Sequence, residues 1–188
     1  LTRWYVFIGG LAVLGAITLI FFFLGYVVFP LFQGADLNAK QALTPVWMQD
    51  AGKPLMISVE EQNQVGMRVS DKGMVLFFNA KTGDELSRVN LPLPAGTQVT
   101  SIGEDQPGNP VVVLGLSNGQ ALVFRHSYRV SYPDNKKTIT PAIEYPYGET
   151  PIVLDPQGRA LDHVNLSVND STLVLAGSTG AQLHVLSL

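Results

Sequence analysis

Cysteine is absent from the 188 residues, which excludes both a disulfide framework and a thiolate metal site. Charge is sparse as well, at 14% Asp, Glu, Lys and Arg with a net −3, so there is no basic footprint for nucleic acid. No Gly-Lys-Ser or Gly-Lys-Thr occurs, which excludes a P-loop. The three histidines, His126, His163 and His184, have no ligand-like spacing to one another or to acidic residues, and His184 reads as a surface or edge residue of a strand. Glu60-Glu61 and Glu104-Asp105 are adjacent pairs in loops, and neighbours in sequence do not place an acid and a base on opposite sides of a substrate. Ser117 and Ser178 read as hairpin-turn residues, not as nucleophiles on a strand-to-helix elbow. The expectation is a non-enzymatic chain with no catalytic, cofactor-binding or metal residues.

What the sequence does contain is one long apolar run, Trp4 to Phe32, with no charged side chain between Arg3 and Asp36. As a helix rising about 1.5 Å per residue, it exceeds the roughly 30 Å of a bilayer's hydrocarbon core. A cleaved signal peptide has a shorter apolar region, of about 7–15 residues, ending in small residues; this run ends in Val28-Phe29-Pro30-Leu31-Phe32. It reads as an uncleaved transmembrane anchor. Arg3 before it and Asp36 after it orient the N-terminus to the cytoplasm and the remainder outside. Trp4, Tyr5 and Tyr26 lie where amphipathic rings meet headgroups. Gly9, Ala12 and Ala16 fall on one stripe of this helix, and small residues let a second helix approach closely, so they are the helix-packing candidates.

Residues 1–33 therefore form the span with its flanks, 34–53 a polar connector, and 54–188 an extracytoplasmic all-β domain. In the last region, short runs of Val, Leu, Ile and Phe alternate with Gly, Asn, Asp and Pro, the pattern of strands and tight turns. Three stretches superpose on Gly73, Gly119 and Gly180: Arg68-VSDKGMVLFFNAKTGDEL, Val113-LGLSNGQALVF and Leu175-AGSTGAQLHVL. In each a polar turn joins two apolar strands, with Gly supplying the positive φ of a tight hairpin. Leu76, Leu122 and Leu183, then Phe78, Phe124 and Val185, follow the glycines at matched positions and are expected to face a β core.

The glycines are 46 and 61 residues apart, near the roughly 40–50-residue period of propeller blades. The blades are read as 55–90, 99–132 and 164–188, the last without its outer strand. Tyr128 to Pro156, rich in Pro, is expected to be an irregular loop. Asn79-AKTGDEL resembles turns of quinoprotein-like and WD-type blades, although a generic meander or sandwich can use the same turn. The fold expected is one transmembrane helix followed by a partial β-propeller-like repeat domain. Three blades fall short of the four to eight of typical propellers, so closure is expected from residues beyond Leu188.

The opening Leu-Thr-Arg-Trp-Tyr-Val-Phe-Ile-Gly-Gly, the Phe-rich span, the Val-Val-Phe-Pro-Leu-Phe exit and the β repeats together resemble the N-terminal part of the long-form phosphate ABC transporter permeases, PstC type, of pseudomonads and related bacteria. The resemblance covers essentially the whole chain and rests on overall likeness, since the Glu-Ala-Ala coupling loop that engages the ATPase is absent and so are the pore helices. It implies a subunit that imports inorganic phosphate with other permease and ATPase subunits and a phosphate-binding protein, this part giving the first helix and a periplasmic β domain. A single-span scaffold or assembly factor of the cell envelope is the alternative.

Overall fold

The computed structural model describes residues 2–32, 45, 51–105, 109–135, 137–169 and 172–188. It divides into two compact units, Leu1–Ala42 and Leu43–Leu188. The first contains the helix α1, Thr2–Val28, followed by a 3-10 turn at Phe29–Phe32. Within it, Arg3–Val28 has a mean hydropathy of 2.6 and is long and apolar enough to cross a membrane. Apolar side chains such as Leu11, Ile17, Phe22 and Tyr26 point outward all around it, as in a helix whose every side meets an apolar environment. Most of the connector 34–53 lies outside the described residues.

The second unit is a succession of antiparallel meanders. Sheet 1 has the order β1-β2-β3-β4, from Pro54–Val59, Val65–Ser70, Met74–Asn79 and Glu85–Asn90. Sheet 2 has β5-β6-β7-β8, from Val99–Glu104, Val111–Leu116, Gln120–Ser131 and Thr138–Glu144, with the short β9, Ile152–Val153, also on β7. Sheet 3 has β10-β11-β12, from His163–Asn169, Thr172–Thr179 and Gln182–Ser187. Sheets 1 and 2 enclose one core, with Met67, Val75, Phe77, Leu114, Leu122 and Phe124. Sheets 2 and 3 enclose another, with Val113, Val123, Leu161, Leu166, Leu173 and Leu175. Because sheet 2 is covered on both faces, β6 reads as a continuous apolar run, Val111 to Leu116, and all six of its residues are buried. An apolar helix followed by sequential antiparallel meanders stacked face to face is a helix plus a partial β-propeller-like domain.

Two expectations are corrected. The stretch from Tyr128 to Pro156 is not an irregular loop: β7 runs on to Ser131, and Thr138–Glu144 returns along it as the fourth strand of sheet 2. Ile139 and Ile143 pack on the first core at alternate positions, and Pro141 is tolerated because β8 is an edge strand. The core expectation holds for Leu76, Leu122 and Phe124, which are buried, and Phe78 is half-buried. It fails for Leu183 and Val185, which remain 72% and 62% exposed.

The turns explain the failure. Gly73 and Gly119 are the third residues of three-residue loops, with φ of 71° and 78°. Thr179 pairs with Gln182, so Gly180 is instead the first residue of a two-residue loop. Counting from glycine is thereby offset by one, and a one-residue offset turns every side chain to the other face of the sheet. Leu186, opposite Leu175, takes the core side instead.

Candidate functional site

The β unit has a cleft of about 420 Å³ between the β1–β2 turn, the ends of β5 and β6, and the extended half of β7 with β8. Its apolar wall includes Met56, Val59, Val130 and Ile139, and its polar rim Glu60, Glu61, Glu104 and Arg125. His126 and Tyr128, two apart on β7, share one side of the strand, with ring centroids 5.5 Å apart in edge contact. Tyr128 also meets the ring of Phe77 edge-on at 6.2 Å. The Tyr128 hydroxyl and His126 Nδ1 are buried without a hydrogen-bond partner among the described residues. Burial lowers the pKa of His126, which keeps its ring neutral at pH 7. Burial, and after it the charge of Glu60, pushes the Tyr128 phenol up to about 12.

Glu60 is a turn residue, not a free acid. Its two carboxylate oxygens accept the backbone N–H groups of Gln62 and Gln64, at 2.7 and 2.8 Å. Desolvation opposes its ionisation, but these backbone donors, that of Val65 and the charge of Lys137 outweigh it, so its pKa lies below the usual value. Lys137 also donates to Gln62 Oε1, closing the rim from the β8 side. The cleft thus has an apolar wall, two orphaned buried polar atoms and a mostly acidic rim, and this is poor chemistry for holding an anion such as phosphate.

A second polar cluster is structural. Asp155 is 1% exposed, and its carboxylate accepts the backbone N–H groups of Gln157 and Arg159 and the Arg159 guanidinium, Nε at 2.8 Å. The Arg159 side chain, outweighing the opposing desolvation, holds this carboxyl far below the usual range. The backbone N–H groups of Leu154 and Asp155 both donate to the Gly119 carbonyl, which ties this loop to the β6–β7 turn. A second buried charge is Arg68, which donates to the carbonyls of Ala51 and Gly52 at 2.9 and 2.5 Å and so pins the entry into β1. Sequence reasoning missed both; the Asp-x-x-x-Arg spacing of 155 and 159 was the only signal, and a lone Arg within a strand gives none.

Residues singled out from the sequence are scattered. His163 is exposed on β10, and His184 is half-buried, 3.8 Å from Asp155. Ser178 belongs to β11 rather than to a turn. Ser117 sits in Gly115-Leu-Ser-Asn-Gly119, which has the letters of a nucleophile elbow. It lies in a β-hairpin with no helix after it, and its hydroxyl accepts the N–H of Gln98 at 3.1 Å. Gly9, Ala12 and Ala16 lie within α1, and a methyl at Gly9 would meet nothing within 4 Å. Among the described residues, no three potential ligands are grouped as a metal site.

No protein-family model and no curated protein matches the chain. Among solved structures, it is similar to a chain in the crystal structure of the mitotic checkpoint complex, at 16% identity over 69% of this chain and 35% of that one, with a TM-score of 0.38. It is also similar to the RRP9 WD40 repeats, at 10% identity over 72% of this chain and 50% of that one, TM-score 0.33. A third is the Cps50 (Swd1) β-propeller domain of Myceliophteria thermophila, at 10% identity over 73% and 39%, TM-score 0.35. The chain spans half or less of the length of each. The fold description rests on the strand order and register given above.

Proposed function

We propose that this chain is the N-terminal portion of a phosphate ABC importer permease, supplying the first membrane helix and a periplasmic β domain. The observation that carries this reading is α1: an apolar span with its side chains turned outward on every side, joined in sequence to a β-repeat unit, as the permease resemblance implies. Arg3 on its N-terminal side favours a cytoplasmic N-terminus at the bacterial inner membrane. In this reading the chain catalyses nothing itself, and its partners are the other permease and ATPase subunits and a phosphate-binding protein. The acidic rim of the cleft supports a reading in which phosphate is recognised by those partners and not by the β unit. A single-span envelope scaffold is the second reading, favoured by the exposed apolar side chains of β12.

The helix separates the two. In a permease, Gly9, Ala12 and Ala16 pack against another membrane helix, because small side chains permit backbone contact that lipid does not replace. A scaffold needs only an apolar run of equal length. Replacing residues 4–32 by a Leu/Ala span of matched length, and separately making Ala12→Ile, is expected to reduce phosphate uptake severalfold in cells that depend on this system, at normal expression. Undiminished uptake with both variants would sink the permease reading.

A further inference from the structure

We propose that the cleft between sheets 1 and 2 is a binding site for a small organic cation, an apolar body carrying a protonated amine. The site is lined by residues of the β unit alone, and it stands whether or not the transport reading does.

The cleft opens where sheet 2 narrows. β6 pairs with β7 as far as Val111 opposite Arg125, and the His126 N–H then donates to the Pro110 carbonyl at 3.0 Å. From Ser127 to Ser131, among the described residues, β7 continues with β8 alone beside it. Two strands stand where there were four, and the first core runs out into an opening faced by the β1–β2 turn. Met56, Tyr128 and Ile139 pack on that core and also line the opening. Its volume of about 420 Å³ falls within the roughly 300–1,000 Å³ of small-molecule sites. Both flanking sheets come from the middle of the β unit, and sheet 3 takes no part in the walls.

The lining selects the charge of the occupant. Glu60, Glu61 and Glu104 stand against one guanidinium, that of Arg125, so the field in the cleft attracts a cation and repels an anion. Glu60 is committed to the β1–β2 turn, whereas Glu61 and Glu104 make no side-chain hydrogen bond or ion pair among the described residues. A separate observation points to the same ligand class: the Tyr128 hydroxyl and Nδ1 of the neutral His126 ring are buried without a partner. An ammonium brings three donors and no acceptor, and a phenol oxygen and an imidazole lone pair both accept. A bare divalent ion fits poorly, because among the described residues no three ligating side chains are grouped and Met56, Val130 and Ile139 offer it no oxygen. These three side chains cover the hydrocarbon body instead, and the apolar surroundings they create strengthen the attraction between carboxylate and ammonium.

The test follows the methyl signals of labelled methionine by NMR in the full chain held in detergent. Met56 lines the cleft, whereas Met67 and Met74 are buried elsewhere in sheet 1, so the chain carries its own reporter and controls. Benzylamine is expected to move the Met56 signal saturably and to leave Met67 in place. Benzyl alcohol, of the same size without the charge, and benzoate, of opposite charge, are expected to move it weakly or not at all. Glu61→Gln and Glu104→Gln should each weaken benzylamine binding by up to about fivefold, and Glu149→Gln, outside the cleft, should leave it unchanged. Binding of benzyl alcohol equal to that of benzylamine, a preference for benzoate, an unmoved Met56 signal, or indifference to both cleft variants would overturn the site. A lysine-containing peptide that moves Met56 where benzylamine does not would make the cleft a protein-docking groove and overturn the small-ligand assignment. If a Gln variant displaces the Met67 and Met74 signals, and so disturbs the fold, the order of the three probes on the unaltered chain decides.

Discussion

Leu122 has lost nearly all contact with water, whereas Leu183, at the same distance from its turn glycine, keeps 72% of its surface exposed. Truncating a buried leucine removes both its transfer free energy and the packing around the cavity it leaves, about 2–5 kcal/mol in all. At an exposed site the change stays within about 0.5 kcal/mol. Leu122→Ala is therefore expected to shift the denaturant midpoint of the β unit strongly and Leu183→Ala hardly at all. Equal shifts in the two melts would mean that Leu183 is packed. The buried polar residues obey a different rule, since Asp155 and Arg68 are held inside by donors and acceptors supplied by loops. Such partners are separated from them by intervals that carry no periodicity, so Arg68 does not announce itself in the sequence and Asp155 does so only through the spacing to Arg159.

Hairpins show what was legible at the scale of an element. The apolar alternation and the turn glycines marked the two strands of each repeat, because a tight turn with positive φ restricts the residue to Gly or a few polar types. Loop parity was not legible: Asp71-Lys72-Gly73 and Ser178-Thr179-Gly180 both read as polar turns ending in glycine, yet the first is a three-residue loop and the loop at the second is the two residues Gly180-Ala181. β8 was hidden for a similar reason, since Pro141 marks a loop unless the strand is known to be at an edge. The cleft was illegible because its wall joins Met56, Glu104 and Ile139, which only stacking of two sheets brings together. The glycines also differ in what they tolerate. A methyl at Gly73 would come within 2.2 Å of Leu93 Cδ1 in addition to the unfavourable φ of 71°, whereas one at Gly180 meets nothing within 4 Å. Gly73→Ala is expected to cost about 1–3 kcal/mol, and Gly180→Ala only the backbone penalty of about 1 kcal/mol. Thermal melts of the two variants check this, and a larger loss at Gly180 would contradict the turn geometry.

Across the whole β unit, stability follows from sheet 2 being shared by both cores. Val113 and Leu114 are neighbours on β6, yet one belongs to the core with sheet 3 and the other to the core with sheet 1. Neither core survives without β6, so its amides should exchange with solvent only through global unfolding of the unit. Among the described residues, sheet 3 contacts sheet 2 on one face only, and β12 lies at its edge with just Leu186 packed against the second core. Local opening of such a strand costs less than opening the whole, as expected for stacked units whose stability is a sum of nearest-neighbour terms. Hydrogen exchange in dilute solution is therefore expected to rank the amides of Val113 and Leu114 slowest, with those of His184 and Leu186 well ahead of them although both bond to β11. Destabilising the first core with Leu114→Ala should speed exchange in β6 and β7 together while leaving the lower protection of β12 nearly unchanged, because β12 already opens by a cheaper route. Equal protection along β6 and β12 would instead mean that sheet 3 is an integral part of one cooperative unit.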